Sequence, residues 1–140
     1  MITATMIGKY FQTKNMELSE IQVQKLTYYA YVWYMVINKG KKLFEERPQA
    51  WIHGPVFKSL FISMRYDRRR FDDGKVELDR DTMNFLDIIY KIYGKYSGNE
   101  LENLTHSELP WQIARQGKPY YEYSEEYIKD EDIMQFYSQL

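Results

Sequence analysis

The chain has 140 residues with Lys+Arg 19 against Asp+Glu 20, no cysteine and two histidines. That is the size of one domain. Disulfides and thiolate metal sites are excluded, and few ligands remain for a zinc or iron centre. A net charge of −1 offers no global field for steering the protein onto nucleic acid or an anionic membrane, so any such partner has to be argued from local charge.

Met6, Ile7, Tyr10 and Phe11 recur at helical spacing and Asn15 offers a stop, which predicts a first helix over Thr3 to Lys14. Ser19 is placed to cap a longer one, whose apolar stripe runs Leu26, Tyr29, Ala30, Trp33, Val36 and Ile37 before Gly40 closes it. Its longest apolar-looking run, Leu26 to Ile37, is too short to span about 30 Å of hydrocarbon. No basic segment leads into an apolar stretch at the N-terminus, so neither secretion nor a membrane anchor is expected, and the cytoplasm is the expected compartment.

Leu43 to Pro55 loses the helical period and reads as an extended connector, with the alternation of Ala50 and Ile52 marking a short strand. Within it, Ala50-Trp51-Ile52-His53-Gly54-Pro55-Val56 places a histidine before a Gly-Pro pair. Glycine turns the chain without a Cβ cost and proline restricts the residue before it, so a corner accounts for this stretch more simply than a catalytic base. Pro55 is expected in the first turn of the next helix, which carries Val56, Leu60, Phe61 and Met64 and ends near Tyr66.

A loop around Asp73-Gly74 leads to a second long helix with Met83, Phe85, Leu86, Ile89, Tyr90, Ile92 and Tyr93, started by Asp79 or Asp81 and ended in stages by Gly94 and Gly98. Shorter helical pieces follow at Asn99 to Leu104 and Glu108 to Gln116. After a Gly117-Lys118-Pro119 break comes a tyrosine-rich loop, then a last helix capped by Asp130. No repeat or linker divides the chain. The expected architecture is mainly α: one compact irregular helical bundle over residues 1–140, with room for a minor β-ribbon around Trp51.

Catalytic constellations are sparse. Thr105-His106-Ser107-Glu108 is the nearest offer of a nucleophile beside a histidine, but it has no nucleophile elbow, and Thr105 is expected to cap the following helix. The seven glycines form no phosphate-cradling motif. No cofactor, no metal and no enzyme activity are therefore expected.

Two segments stand out as partner-binding candidates. Arg65, Arg68, Arg69 and Arg70 interleave with Tyr66 and Phe71, a composition suited to gripping phosphates or to a protein interface; Asp67, Asp72 and Asp73 reduce the charge of Arg65 to Asp73 to +1. From Tyr120 onward, six carboxylates face only Lys129, and Tyr120, Tyr121 and Tyr123 crowd one loop. Fourteen tyrosines in all hint at partner-facing positions.

The ordered set Gln24-Lys25-Leu26-Thr27-Tyr28-Tyr29-Ala30, Trp33-Tyr34, Leu43-Phe44, Ala50-Trp51 with His53-Gly54-Pro55-Val56, and Leu104-Thr105-His106 with Pro110-Trp111 resembles the Panacea antitoxin domain family. Val23 stands where the family often has leucine. The resemblance implies a non-enzymatic protein that neutralises a cognate protein toxin encoded beside it by direct contact, and in some relatives hands that toxin to a protease. It also implies that Lys25, Leu26, Tyr29, Trp51, Gly54, Pro55, Thr105, His106 and Trp111 build the shared scaffold. Toxin choice then falls to the individual segments at Arg65 to Arg70 and Tyr120 to Glu126. The alternative is a regulator binding nucleic acid through Arg68 to Arg70.

Overall fold

The computed structural model describes residues 1–140 and is mainly helical, as expected. Its elements are α1 (Ala4–Lys14), α2 (Glu20–Ile37), β1 (Gln49–Trp51), β2 (Gly54–Val56), α3 (Lys58–Tyr66), α4 (Arg68–Phe71), α5 (Arg80–Tyr93), α6 (Gly98–His106), α7 (Leu109–Ala114) and α8 (Asp130–Tyr137). No helix is long and apolar enough to cross a membrane.

Helix α2 is the axis of the molecule. Ser19 and Gln22 form a reciprocal capping box at its start, and Gly40, at φ +93, turns the chain out after its end with its N–H on the Met35 carbonyl at 2.8 Å. Val23, Leu26, Tyr29, Ala30, Tyr31 and Val32 are all fully buried, so α2 is apolar on most of its circumference. Such a helix has to be surrounded. The other helices pack around it, and its core extends through Ile7 and Phe11 of α1, Leu60 of α3, Leu86 and Ile89 of α5, Leu101 of α6, and Ile133 and Tyr137 of α8.

The ribbon pairs β1 with β2 antiparallel in the register Gln49 to Val56, Ala50 to Pro55 and Trp51 to Gly54. The segment before α8 runs along the outer edge of β1: the Ala50 N–H donates to the Glu126 carbonyl at 2.7 Å and the Ile128 N–H to the Pro48 carbonyl at 2.8 Å.

Several expectations are corrected. Pro55 lies in β2, and the helix begins three residues later at Lys58. The cause is Gln24 on α2. Its side-chain amide bonds both backbone groups of Phe57, accepting from the N–H at 2.9 Å and donating to the carbonyl at 3.1 Å, which holds the chain extended. Gly98 starts α6 rather than ending α5, because Ser97 and Glu100 supply a complete capping box. Arg68 to Phe71 forms one helical turn that swings the Phe71 ring inward.

Asp130 is the first residue of α8, not its cap. Its carboxylate is diverted to the Tyr31 hydroxyl at 2.7 Å and to Lys42 at 3.4 Å. Thr105 caps no helix; it is buried in the last turn of α6 and donates to the Glu102 carbonyl at 3.0 Å.

Candidate partner-binding surface

The motif residues converge on the corner between α2, the ribbon, α6 and α7. Gly54 sits at φ +114, where an L side chain is strained. A Cβ there would lie 2.6 Å from Lys25 Cε and 2.8 Å from Thr105 Oγ1. Only glycine lets the three elements close to this distance. Lys25 is thereby sealed from solvent, with the Pro55 carbonyl 3.4 Å from its Nζ. Burial lowers its pKa to about 7, against a partial opposing pull from Glu102.

Around this lysine the aromatic residues lock together. The Trp111 indole N–H donates to the Trp51 carbonyl at 2.9 Å, and His106 stacks on Trp111 with centroids 4.0 Å apart. Burial pushes the His106 imidazole down in basicity, with Glu102 and the Ile52 backbone only partly offsetting it. A cleft of about 390 Å³ opens beside His106, Trp111, Lys118 and Tyr120.

Leu26, Tyr29, Pro55 and Trp111 are buried, Trp51 is half-buried, and His53 stands exposed at the tip of the turn. The chain bends there, as the Gly-Pro pair requires. No group of three or more His, Asp or Glu side chains is placed to hold a metal ion.

The tyrosine-rich loop is fastened at both ends. Arg115, only 3% exposed, donates to the carbonyls of Pro119 at 3.0 Å, Tyr120 at 3.4 Å and Glu122, and reaches back to the Ala50 carbonyl at 3.3 Å. Tyr120 donates to Glu102 Oε2 at 2.8 Å, the same oxygen that meets His53 Nδ1 at 3.0 Å. Burial would raise the Glu102 carboxyl, but these two hydrogen bonds prevail and hold it below the usual carboxylate range. At the far end the loop joins the edge of β1 through Glu126. Between these anchors Tyr121 is 79% and Tyr123 64% exposed.

The arginine segment is less free than its composition implies. Arg65 pairs with Glu20 at 3.1 Å and lies over the Phe61 ring; Arg68 pairs with Asp72 at 2.8 Å and bonds Gln12 at 2.9 Å. Arg69 and Arg70 are exposed and form no ion pair. The exposed side of α3, with Ile62 and Tyr66, leads from this segment back to Lys58, which bridges Glu125 of the tyrosine loop at 3.1 Å. The two candidate segments are therefore the ends of one strip of surface.

Sequence reasoning missed Glu102 and Arg115. Both act through partners distant in sequence, and a lone acid or arginine on a short helix gives no local sign of that. The tyrosine content as a whole is not a sign of surface: Tyr10 and Tyr29 are buried, as their apolar stripes predict, and so are others. Tyr10, Tyr28, Tyr29, Tyr31 and Tyr137 are core residues, and Tyr29 and Tyr137 both donate to Glu108 Oε1, at 2.8 and 2.7 Å.

The fold and this surface define a small helical domain built around α2, with a buried lysine at its ribbon corner and a tyrosine loop fastened beside it. Residues 23–112, more than half of the chain, match the model of the Antitoxin SocA-like, Panacea domain family, and the chain belongs to that family. The match runs from the start of the Lys25 motif to just past Trp111; the tyrosine loop and α8 lie beyond it. No curated protein and no solved structure matches the chain.

Proposed function

We propose that this protein is the antitoxin of a toxin–antitoxin pair. It neutralises a toxin encoded in the adjacent gene by direct protein contact in the cytoplasm and catalyses no reaction. Family membership supports the antitoxin role. The observation that carries direct contact is the exposure of Tyr121 and Tyr123 on the loop and of Ile62, Tyr66 and Arg69 along and beyond α3, which the Lys58–Glu125 ion pair ties to that loop. Those residue types dominate binding energy at protein interfaces.

The experiment is to express the adjacent gene alone and then with this chain. Growth arrest relieved by the chain, with both proteins recovered as one stable complex, is the expected result. Relief with disappearance of the toxin points instead to delivery to a protease. An adjacent product without toxicity, or relief without any physical association, overturns direct neutralisation.

A further inference from the structure

Three tyrosines project from one short stretch, Tyr120 at 53%, Tyr121 at 79% and Tyr123 at 64% exposure, while Arg47 already lies over the half-exposed ring of Tyr127 at 4.9 Å. A flexible loop would lose much of their binding value in the cost of ordering itself. This one is hydrogen-bonded to the helical body without a partner. Arg115 gathers the carbonyls of Pro119, Tyr120 and Glu122, Glu102 holds the Tyr120 hydroxyl, and Glu126 and Ile128 pair with the chain at β1. Tyrosine adds large contact area at the expense of only two side-chain torsions, the composition used by rigid antibody-like binding loops.

The charge of the same stretch is one-sided. Residues 120 to 127 carry Glu122, Glu125 and Glu126 and no basic residue. Lys58 neutralises Glu125, while Glu122 and Glu126 are exposed and form no ion pair. Tyrosine faces accept guanidinium and ammonium groups, and carboxylates beside them complete charge-assisted hydrogen bonds.

We propose that residues 119 to 127 form a pre-ordered binding loop that seats an arginine- and lysine-rich face of the partner protein, with Arg115 and Glu102 as its positioning residues. The assignment rests on the antitoxin reading, since it requires a protein partner. It commits that partner to a basic surface and disfavours a nucleic acid at this loop, whose phosphates Glu122 and Glu126 repel.

The test uses the full chain and the purified product of the adjacent gene, with binding rates measured at low and high salt. For Tyr121→Ser/Tyr123→Ser, dissociation is expected to accelerate at least about 30-fold. For Glu122→Lys/Glu126→Lys, association is expected to slow at least about tenfold at low salt, with the wild-type salt dependence lost or reversed. None of these four side chains makes a hydrogen bond within the protein, so the melting temperatures of both variants should match wild type.

The positioning role has its own readout. Glu102→Gln keeps an acceptor for Tyr120 and should bind nearly as wild type, whereas Glu102→Ala should accelerate amide hydrogen exchange across residues 119 to 127 before any partner is added. Wild-type rates for both pairs of loop variants, in a complex that still forms, would overturn the loop assignment and leave the antitoxin reading standing. No complex with the wild-type chain would overturn both.

Discussion

Lys25 carries an ammonium out of water with only a long contact to the Pro55 carbonyl for compensation. Burying it charged is costly, which is why its pKa falls from 10.5 to about 7. The sign of the pH effect follows. Between about pH 7 and 10.5 the unfolded chain binds this proton and the folded chain does not, so stability rises with pH across that window, by up to about 1.4 kcal/mol per unit. The thermal midpoint should therefore climb from pH 7 to about 9, below the range in which tyrosines of the unfolded chain ionise. Lys25→Met, an apolar replacement of similar length, should flatten this rise and raise the midpoint at pH 7. A wild-type profile already flat over that interval would show that the lysine finds compensation the geometry does not contain. Gly54 belongs to the same packing, because the closeness of Lys25 and Thr105 leaves no volume for a methyl group.

At the scale of elements, α7 and α8 are tied to α2 through one carboxylate. Glu108 is the cap position just before α7, yet its side chain makes no cap hydrogen bond; Oε1 instead accepts from Tyr29 of α2 and Tyr137 of α8, and Tyr28 meets the Tyr137 hydroxyl at 3.0 Å. Burial raises the Glu108 carboxyl above its usual range, and the two tyrosine hydrogen bonds pull it only part of the way back. Tyr29→Phe or Tyr137→Phe alone should cost about 1–3 kcal/mol in urea unfolding, since each leaves the buried acceptor short of a donor. The double variant should depart from the sum of the two, because both bonds end on the same oxygen. Additive losses would mean that the two hydrogen bonds act independently, and no loss in either single variant would mean that the three helices are joined by ring packing alone.

The same elements explain what the sequence discloses. Capping signals are local, so Ser19 marks the start of α2, and the start of α5 narrows to Asp79 or Asp81, of which Asp79 is the cap. The start of α3 is set by Gln24, thirty-three residues from Phe57, and the carboxylate of Asp130 is claimed by Tyr31, ninety-nine residues away. No window along the chain holds both partners of such a bond. The loop at Tyr120 was visible as composition, but its attachment to the helical body was not, because that depends on Arg115 and Glu102 meeting it in space.

For the whole molecule, a net charge of −1 conceals a polar arrangement. The strip that runs along α3 has the carboxylates of the tyrosine loop at one end and the unpaired Arg69 and Arg70 at the other. The part of the strip on α3, Lys58 to Tyr66, rises only about 12 Å, well within the width of a single protein partner. On the proposed reading such a surface would orient its partner: a basic face would be drawn to the loop and an acidic one to the arginines, with the reverse docking repelled. Arg69→Glu/Arg70→Glu should therefore slow association with the adjacent-gene product several-fold at low salt, with little change in dissociation or in the melting temperature. The same two residues are what remains for a nucleic-acid reading, since Arg65 and Arg68 are committed to Glu20 and Asp72. Two phosphate contacts would give a log–log salt slope of only about −2, far short of the six to ten contacts behind stable duplex binding. A gel-shift titration with duplex and single-stranded DNA at low salt should show no discrete complex. A complex with a steep salt slope, abolished by the Arg69/Arg70 reversal, would instead make this end of the strip a nucleic-acid site.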